Sequence, residues 1–131
     1  MSESLQSVLY VEDDADIRTI ALLALETVGS LQVRACSSGA EAIEAAQAFR
    51  PDLLLLDVMM PGMDGPTTLA RLRELPLTAN APVVFMTAKV QASEVEHYRS
   101  LGAVGVITKP FDPMTLAAQV EDLWRRARDA A

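Results

Sequence analysis

Three carboxylates, a hydroxyl and an ammonium stand at the ends of short apolar runs. Glu12 and Asp13 follow Ser7–Val11, Asp57 follows Leu53–Leu56, Thr87 closes Pro82–Thr87, and Lys109 follows Val104–Thr108. Clustered acids repel, and the simplest remedy is a hard divalent cation held by oxygens, such as Mg²⁺. A carboxylate can attack a phosphoryl group and become an aspartyl phosphate. The equatorial oxygens of that group then need neutralising by a metal and by Lys or hydroxyl donors. On residue type, Asp57 is the expected nucleophile, Glu12 and Asp13 the metal ligands, and Lys109 and Thr87 the partners of the phosphoryl oxygens.

Such a grouping requires all four runs to end on one edge of one sheet. Each run is short, apolar or β-branched, and bounded by turn residues, which reads as a strand buried on both faces. Between them lie helical patterns. Ile17, Ile20, Ala21, Ala24 and Val28 recur at helical spacing up to Gly29, and Leu31–Ala35 alternates as a second strand. Ser38 with Glu41 forms a capping box before Ala42, Ile43, Ala46 and Phe49. Pro66 opens a helix carrying Leu69 and Leu72. Ser93 and Glu96 cap a helix with Val95, Tyr98 and Leu101 on one side and Gly102 at its end. Asp112-Pro113 caps a last helix striped by Leu116, Val120, Leu123, Trp124 and Ala127. Strand and helix thus alternate along the whole chain, which predicts a parallel sheet with helices on both faces. In such a sheet the carboxyl edge is where ligands collect.

The 131 residues amount to one domain, expected over 1–131 with no output domain attached. A net charge of −7 excludes a basic nucleic-acid face, so no nucleic-acid partner is expected. There is no signal-peptide pattern and no apolar run of membrane-spanning length, and the single Cys36 has no disulfide partner. A cytoplasmic protein without membrane partners is therefore expected.

The sequence resembles the receiver domain of two-component response regulators over essentially its whole length. The motifs are Val11-Glu12-Asp13-Asp14, Asp57 to Gly65, Phe85-Met86-Thr87-Ala88 and Thr108-Lys109-Pro110-Phe111. The resemblance implies an α/β, flavodoxin-like (βα)5 three-layer sandwich with sheet order 2-1-3-4-5. It implies phosphorylation of Asp57 by a histidine kinase, or exchange with a histidine phosphotransfer protein. It implies Mg²⁺ held by Glu12, Asp13, Asp57 and the main-chain carbonyl of Met59, and a cis bond between Lys109 and Pro110. Phosphorylation would draw Thr87 toward the phosphoryl group and alter the face of the fourth helix, fifth strand and fifth helix, where a homodimer or a downstream protein would bind. In this family an aromatic residue usually stands three before the lysine; here it is Val106. Met59 and Lys89 occupy the positions that tune dephosphorylation in the family.

Each residue also has a plainer role. Asp14, Asp16 and Asp64 fit helix or loop caps, His97 a solvent-facing position, Cys36 an inert one, and Trp124 the core. Among functions, an enzyme acting on small phosphate esters would need a second carboxylate two after the nucleophile, where Met59 stands. A nucleotide-binding module would need a Gly-rich loop where Glu12-Asp13-Asp14 stands. The expectation is a signalling module whose only chemistry is its own phosphorylation and dephosphorylation, standing alone in the manner of chemotaxis receivers. The alternative is a pseudo-receiver that binds partners without phosphorylation.

Overall fold

Leu53, Leu54, Leu55 and Leu56 are wholly enclosed, and their side chains alternate between two separate cores. The computed structural model describes residues 4–88 and 91–130; Lys89 lies outside the described residues. Five strands, β1 (Ser7–Val11), β2 (Gln32–Cys36), β3 (Leu53–Asp57), β4 (Val83–Thr87) and β5 (Ala103–Thr108), form one parallel sheet in the order β2-β1-β3-β4-β5. This is the flavodoxin-like order expected. Central strands are buried throughout, whereas β2, at the edge, buries only Cys36. Two faces covered by helices explain why β3 reads as unbroken leucine.

Helices α2 (Gly39–Ala45), α3 (Gly65–Leu72) and α4 (Ala92–Ser100) cover one face, packing on Leu9, Val11, Leu54, Leu56 and Phe85. Helices α1 (Ala15–Leu23) and α5 (Leu116–Ala130) cover the other, over Val8, Tyr10, Leu53 and Leu55. Asp14 caps α1, accepting from the Asp16 and Ile17 amides at 2.9 and 3.0 Å. Asp64 caps α3 through the Thr67 amide at 2.8 Å. Ser38 caps α2, but Glu41 returns its carboxylate to Ser37, not to Ser38, so the box closes one residue early.

Three expectations need correction. First, Ile20 and Val28 are exposed, at 47% and 48%, whereas Ala21 and Ala24 are buried as expected and Leu25 is buried with them. The helix widens into a π-turn at Ala24–Val28, and a wider turn rotates the side chains within and after it. It ends at Gly29, as expected, and the left-handed residue that follows is Ser30, with φ of 58°. Gly29 serves close approach, since a Cβ there would lie 2.5 Å from the Ala117 Cβ of α5. Second, α4 starts before Ser93, after Gln91, which makes no side-chain cap, and Leu101 is exposed at 39%. Third, α5 begins at Leu116, because Asp112 first closes a turn through the Met114 and Leu116 amides. The Trp124 side chain of α5 is core, as expected.

Tyr10 is fully enclosed on β1, and its hydroxyl has no hydrogen-bond partner among the described residues. Burial, then the charges of Glu12 and Asp57, hold its phenol well above the ordinary tyrosine range. An unpaired buried hydroxyl is a net cost. Tyr10→Phe is therefore expected to stabilise the fold by about 1 kcal/mol in urea denaturation. A loss of stability would show that the hydroxyl is satisfied.

Candidate functional site

Strands β1, β3, β4 and β5 end side by side. The Glu12 amide donates to the Cys36 carbonyl at 3.0 Å, extending the β1–β2 ladder by one residue. The Val58 amide does the same toward Met86 on β4, and the Lys109 amide toward Thr87, at 3.0 and 2.9 Å. These bonds hold Glu12, Asp57, Thr87 and Lys109 at one edge. The bond between Lys109 and Pro110 is cis, as expected.

One carboxylate oxygen from each of Glu12, Asp13 and Asp57 lies within 4.8 Å of the others. Glu12 and Asp57 are buried, at 1% and 2% exposure, while Asp13 faces solvent. The Lys109 ammonium donates to Glu12 Oε1 at 2.9 Å and to Asp57 Oδ1 at 3.0 Å. The Asp14 amide donates to the other Glu12 oxygen at 3.1 Å. Thr87 is buried at the end of β4. The Met59 side chain is exposed, so this residue can offer the site only its main chain.

Burial pushes the Glu12 and Asp57 carboxyls up, and this outweighs the Lys109 hydrogen bonds that pull each down. For Lys109, burial pulls the ammonium down, but hydrogen bonds to Glu12 and Asp57 outweigh it and hold it above the ordinary lysine value. One cation therefore faces two buried anions, with Asp13 a third nearby. An all-oxygen, carboxylate-rich donor set of this kind suits a hard divalent cation such as Mg²⁺ and gives soft metals no thiolate. Cys36, the one thiol, is buried, and burial pushes it up to about 11.

Two supporting residues act on main-chain atoms. Arg18, one turn into α1, donates to the Glu12 carbonyl at 2.9 Å and to that of Asp13 at 3.4 Å, bracing the acidic turn. Gly65 brings the loop after β3 back onto the strand end, its amide donating to the Val58 carbonyl at 2.9 Å. A Cβ at Gly65 would collide with the Asp57 carbonyl oxygen and lie 3.0 Å from Val58 Cα. Neither neighbour is a side chain that can swing aside. Gly65→Ala is expected to cost about 1–3 kcal/mol in denaturant, the usual penalty for overpacking. Unchanged stability would mean that the loop moves freely away from Asp57. In the sequence Gly65 closes the Asp57 to Gly65 motif and, with Pro66, reads as helix entry.

Residues 8–121 match the family model described as response regulator receiver domain. The transcriptional regulatory protein CseB of Streptomyces avermitilis is 40% identical over 119 residues, which cover 91% of this chain and 49% of that protein. The alkaline phosphatase synthesis transcriptional regulatory protein PhoP of Bacillus subtilis is 36% identical over 126 residues, covering 96% and 51%. The chain thus spans about half the length of these curated relatives. Among solved structures, chemotaxis protein CheY4 of Vibrio cholerae superposes with a TM-score of 0.83 at 28% identity, covering 92% of this chain and 99% of that one. The receiver domain of the Francisella response regulator 1452 follows the same course, with a TM-score of 0.80 at 27% identity, covering 93% and 98%.

Proposed function

The chain belongs to the receiver domains of response regulators, and from that premise we propose that Asp57 accepts a phosphoryl group from a histidine kinase in a Mg²⁺-dependent reaction. The observation that carries the reading is the Lys109 ammonium shared between two buried carboxylates. Glu12, Asp13, Asp57 and the Met59 carbonyl would hold Mg²⁺, which supplies charge neutralisation for the acids and the incoming phosphoryl oxygens.

In this reading an Asp57 oxygen attacks the phosphorus of the donor phosphohistidine. The O–P bond forms as the N–P bond breaks, and the electron pair leaves on the imidazole. Lys109 passes from the Asp57 oxygen to a phosphoryl oxygen, exchanging one charge-assisted hydrogen bond for another. Thr87, at the end of the neighbouring strand, donates its hydroxyl to a second phosphoryl oxygen. The donor would approach beside Lys109. There Ile17, Ile20, Pro110, Phe111 and Pro113 line an apolar recess of about 190 Å³.

The output is binding of another protein, or relay of the phosphoryl group to a histidine phosphotransfer protein. The face of α4, β5 and α5 would carry it, and a homodimer there is the other use of the same surface. We read the chain as a cytoplasmic signalling module. Among the described residues no helix is long and apolar enough to cross a membrane.

The test is intact-mass spectrometry after incubation with acetyl phosphate, in Mg²⁺ and in EDTA. One phosphoryl group gained in Mg²⁺ alone supports the reading. No gain while Mg²⁺ raises the melting temperature would favour a pseudo-receiver that binds without phosphorylation.

A further inference from the structure

Resting on the phosphoacceptor reading, we propose that Tyr98 is a positioning residue for Thr87, and that this one phenol couples α4 to the state of Asp57. Tyr98 is the single buried residue of α4, at 8% exposure, on a helix otherwise made of polar and half-buried side chains. Its ring packs on Phe85 of β4, with centroids 5.3 Å apart and planes at 48°. Its hydroxyl meets the Thr87 side chain in a hydrogen-bonding contact. Thr87 lies two residues beyond Phe85 on the same strand, so ring and hydroxyl grip one strand end together. Across the sheet, the β5 residue in register with Phe85 is Val106, half-buried against the same core. A valine there has no hydroxyl to offer Thr87, which leaves this role to α4.

A hydroxyl has one proton to give and two lone pairs to accept with. A contact between the two hydroxyls fixes where Thr87 Oγ1 sits at the end of β4. The same bond ties any movement of Thr87 to α4, because few other apolar contacts hold that helix down. Tyr98 touches neither donor nor phosphoryl group; it acts through Thr87.

The experiment is a double-mutant cycle of Tyr98→Phe and Thr87→Ala, with Thr87→Ser as the conservative control. Tyr98→Phe keeps the ring on Phe85 and removes only the hydroxyl. The readouts are the initial rate of phosphoryl uptake from acetyl phosphate and hydrogen exchange of residues 91–100 before and after uptake. Tyr98→Phe should slow uptake about tenfold, the loss of roughly one hydrogen bond. It should cost nothing further in the Thr87→Ala background, and it should erase the change in exchange over α4. Thr87→Ser should behave as wild type. Wild-type rate and an intact exchange response in Tyr98→Phe would overturn the inference while leaving Asp57 as acceptor. Independent, additive losses would also overturn it. No uptake by the wild type itself would remove the parent reading, and this inference with it.

Discussion

Asp57→Asn is expected to take up no phosphoryl group and yet to melt higher than the wild type in EDTA. The amide is a poor nucleophile, so the reaction stops. The amide is also neutral and nearly the same shape, and its oxygen can still accept from Lys109, 3.0 Å from the present carboxylate oxygen. Removing one anion leaves Glu12 and Lys109 as a one-to-one pair. Each unit by which a folded carboxyl lies above its unfolded value corresponds to about 1.4 kcal/mol at neutral pH. A gain of about 1 kcal/mol would raise the melting temperature by about 4 °C in a domain of this size. The pH dependence follows from the same direction. Glu12 and Asp57 titrate above their ordinary values when folded, so their contribution is fully present below the unfolded carboxylate pKa. It is lost as pH rises through the folded values. In EDTA the wild type should therefore lose stability relative to Asp57→Asn as pH rises from 4 toward 7, and calorimetry across that range reads it. A variant that melts lower than wild type at pH 7 would show that the Asp57 charge is stabilised by the fold.

Lys109→Ala is expected to produce the opposite effect. The side chain is only 17% exposed and lies between carboxylates that are 1% and 3% exposed. Breaking a buried ion pair by removing one partner typically costs about 3–5 kcal/mol, because a charge is left buried without compensation. Urea denaturation in EDTA at pH 7 should show a loss of that order, a large part of a small domain's stability. The loss should shrink at pH 5, where the abandoned carboxyls take up protons. Saturating Mg²⁺ should also narrow it, since cation binding favours the folded state. A midpoint equal to wild type under all three conditions would mean that water, not Lys109, neutralises the acids. From residue types alone Lys109 reads as a partner of phosphoryl oxygens. The two contacts to Glu12 and Asp57 give the same ammonium a structural task.

The sheet and the identity of the acids were legible because the strongest signals are local. An apolar run such as Leu53–Leu56 can be read without knowing its neighbours, and a carboxylate at its end marks the sheet edge. Parallel alternation then brings distant strand ends together by topology alone. The π-turn at Ala24–Val28 was not legible, because no residue type marks a wide turn, and it carries Val28 out of the buried face. Gln91 ahead of α4 carries no capping side chain to read, so Ser93 looked like the helix start. Arg18 and Gly65 act on main-chain atoms, a role that spacing does not reveal. The contact of Tyr98 with Thr87 depends on how α4 lies on β4, and its sequence separation has no pattern of its own.

The central claim is that Asp57 itself carries the phosphoryl group. Borohydride reduces an acyl phosphate to an alcohol, which converts phosphorylated aspartate to homoserine. The protein would be incubated with acetyl phosphate and Mg²⁺, quenched into borohydride, digested, and sequenced by tandem mass spectrometry. Homoserine at position 57, absent when Mg²⁺ is replaced by EDTA, is the result predicted. Reduction at Glu12 or Asp13, or an unmodified Asp57 in a sample shown to carry the phosphoryl group, would contradict it.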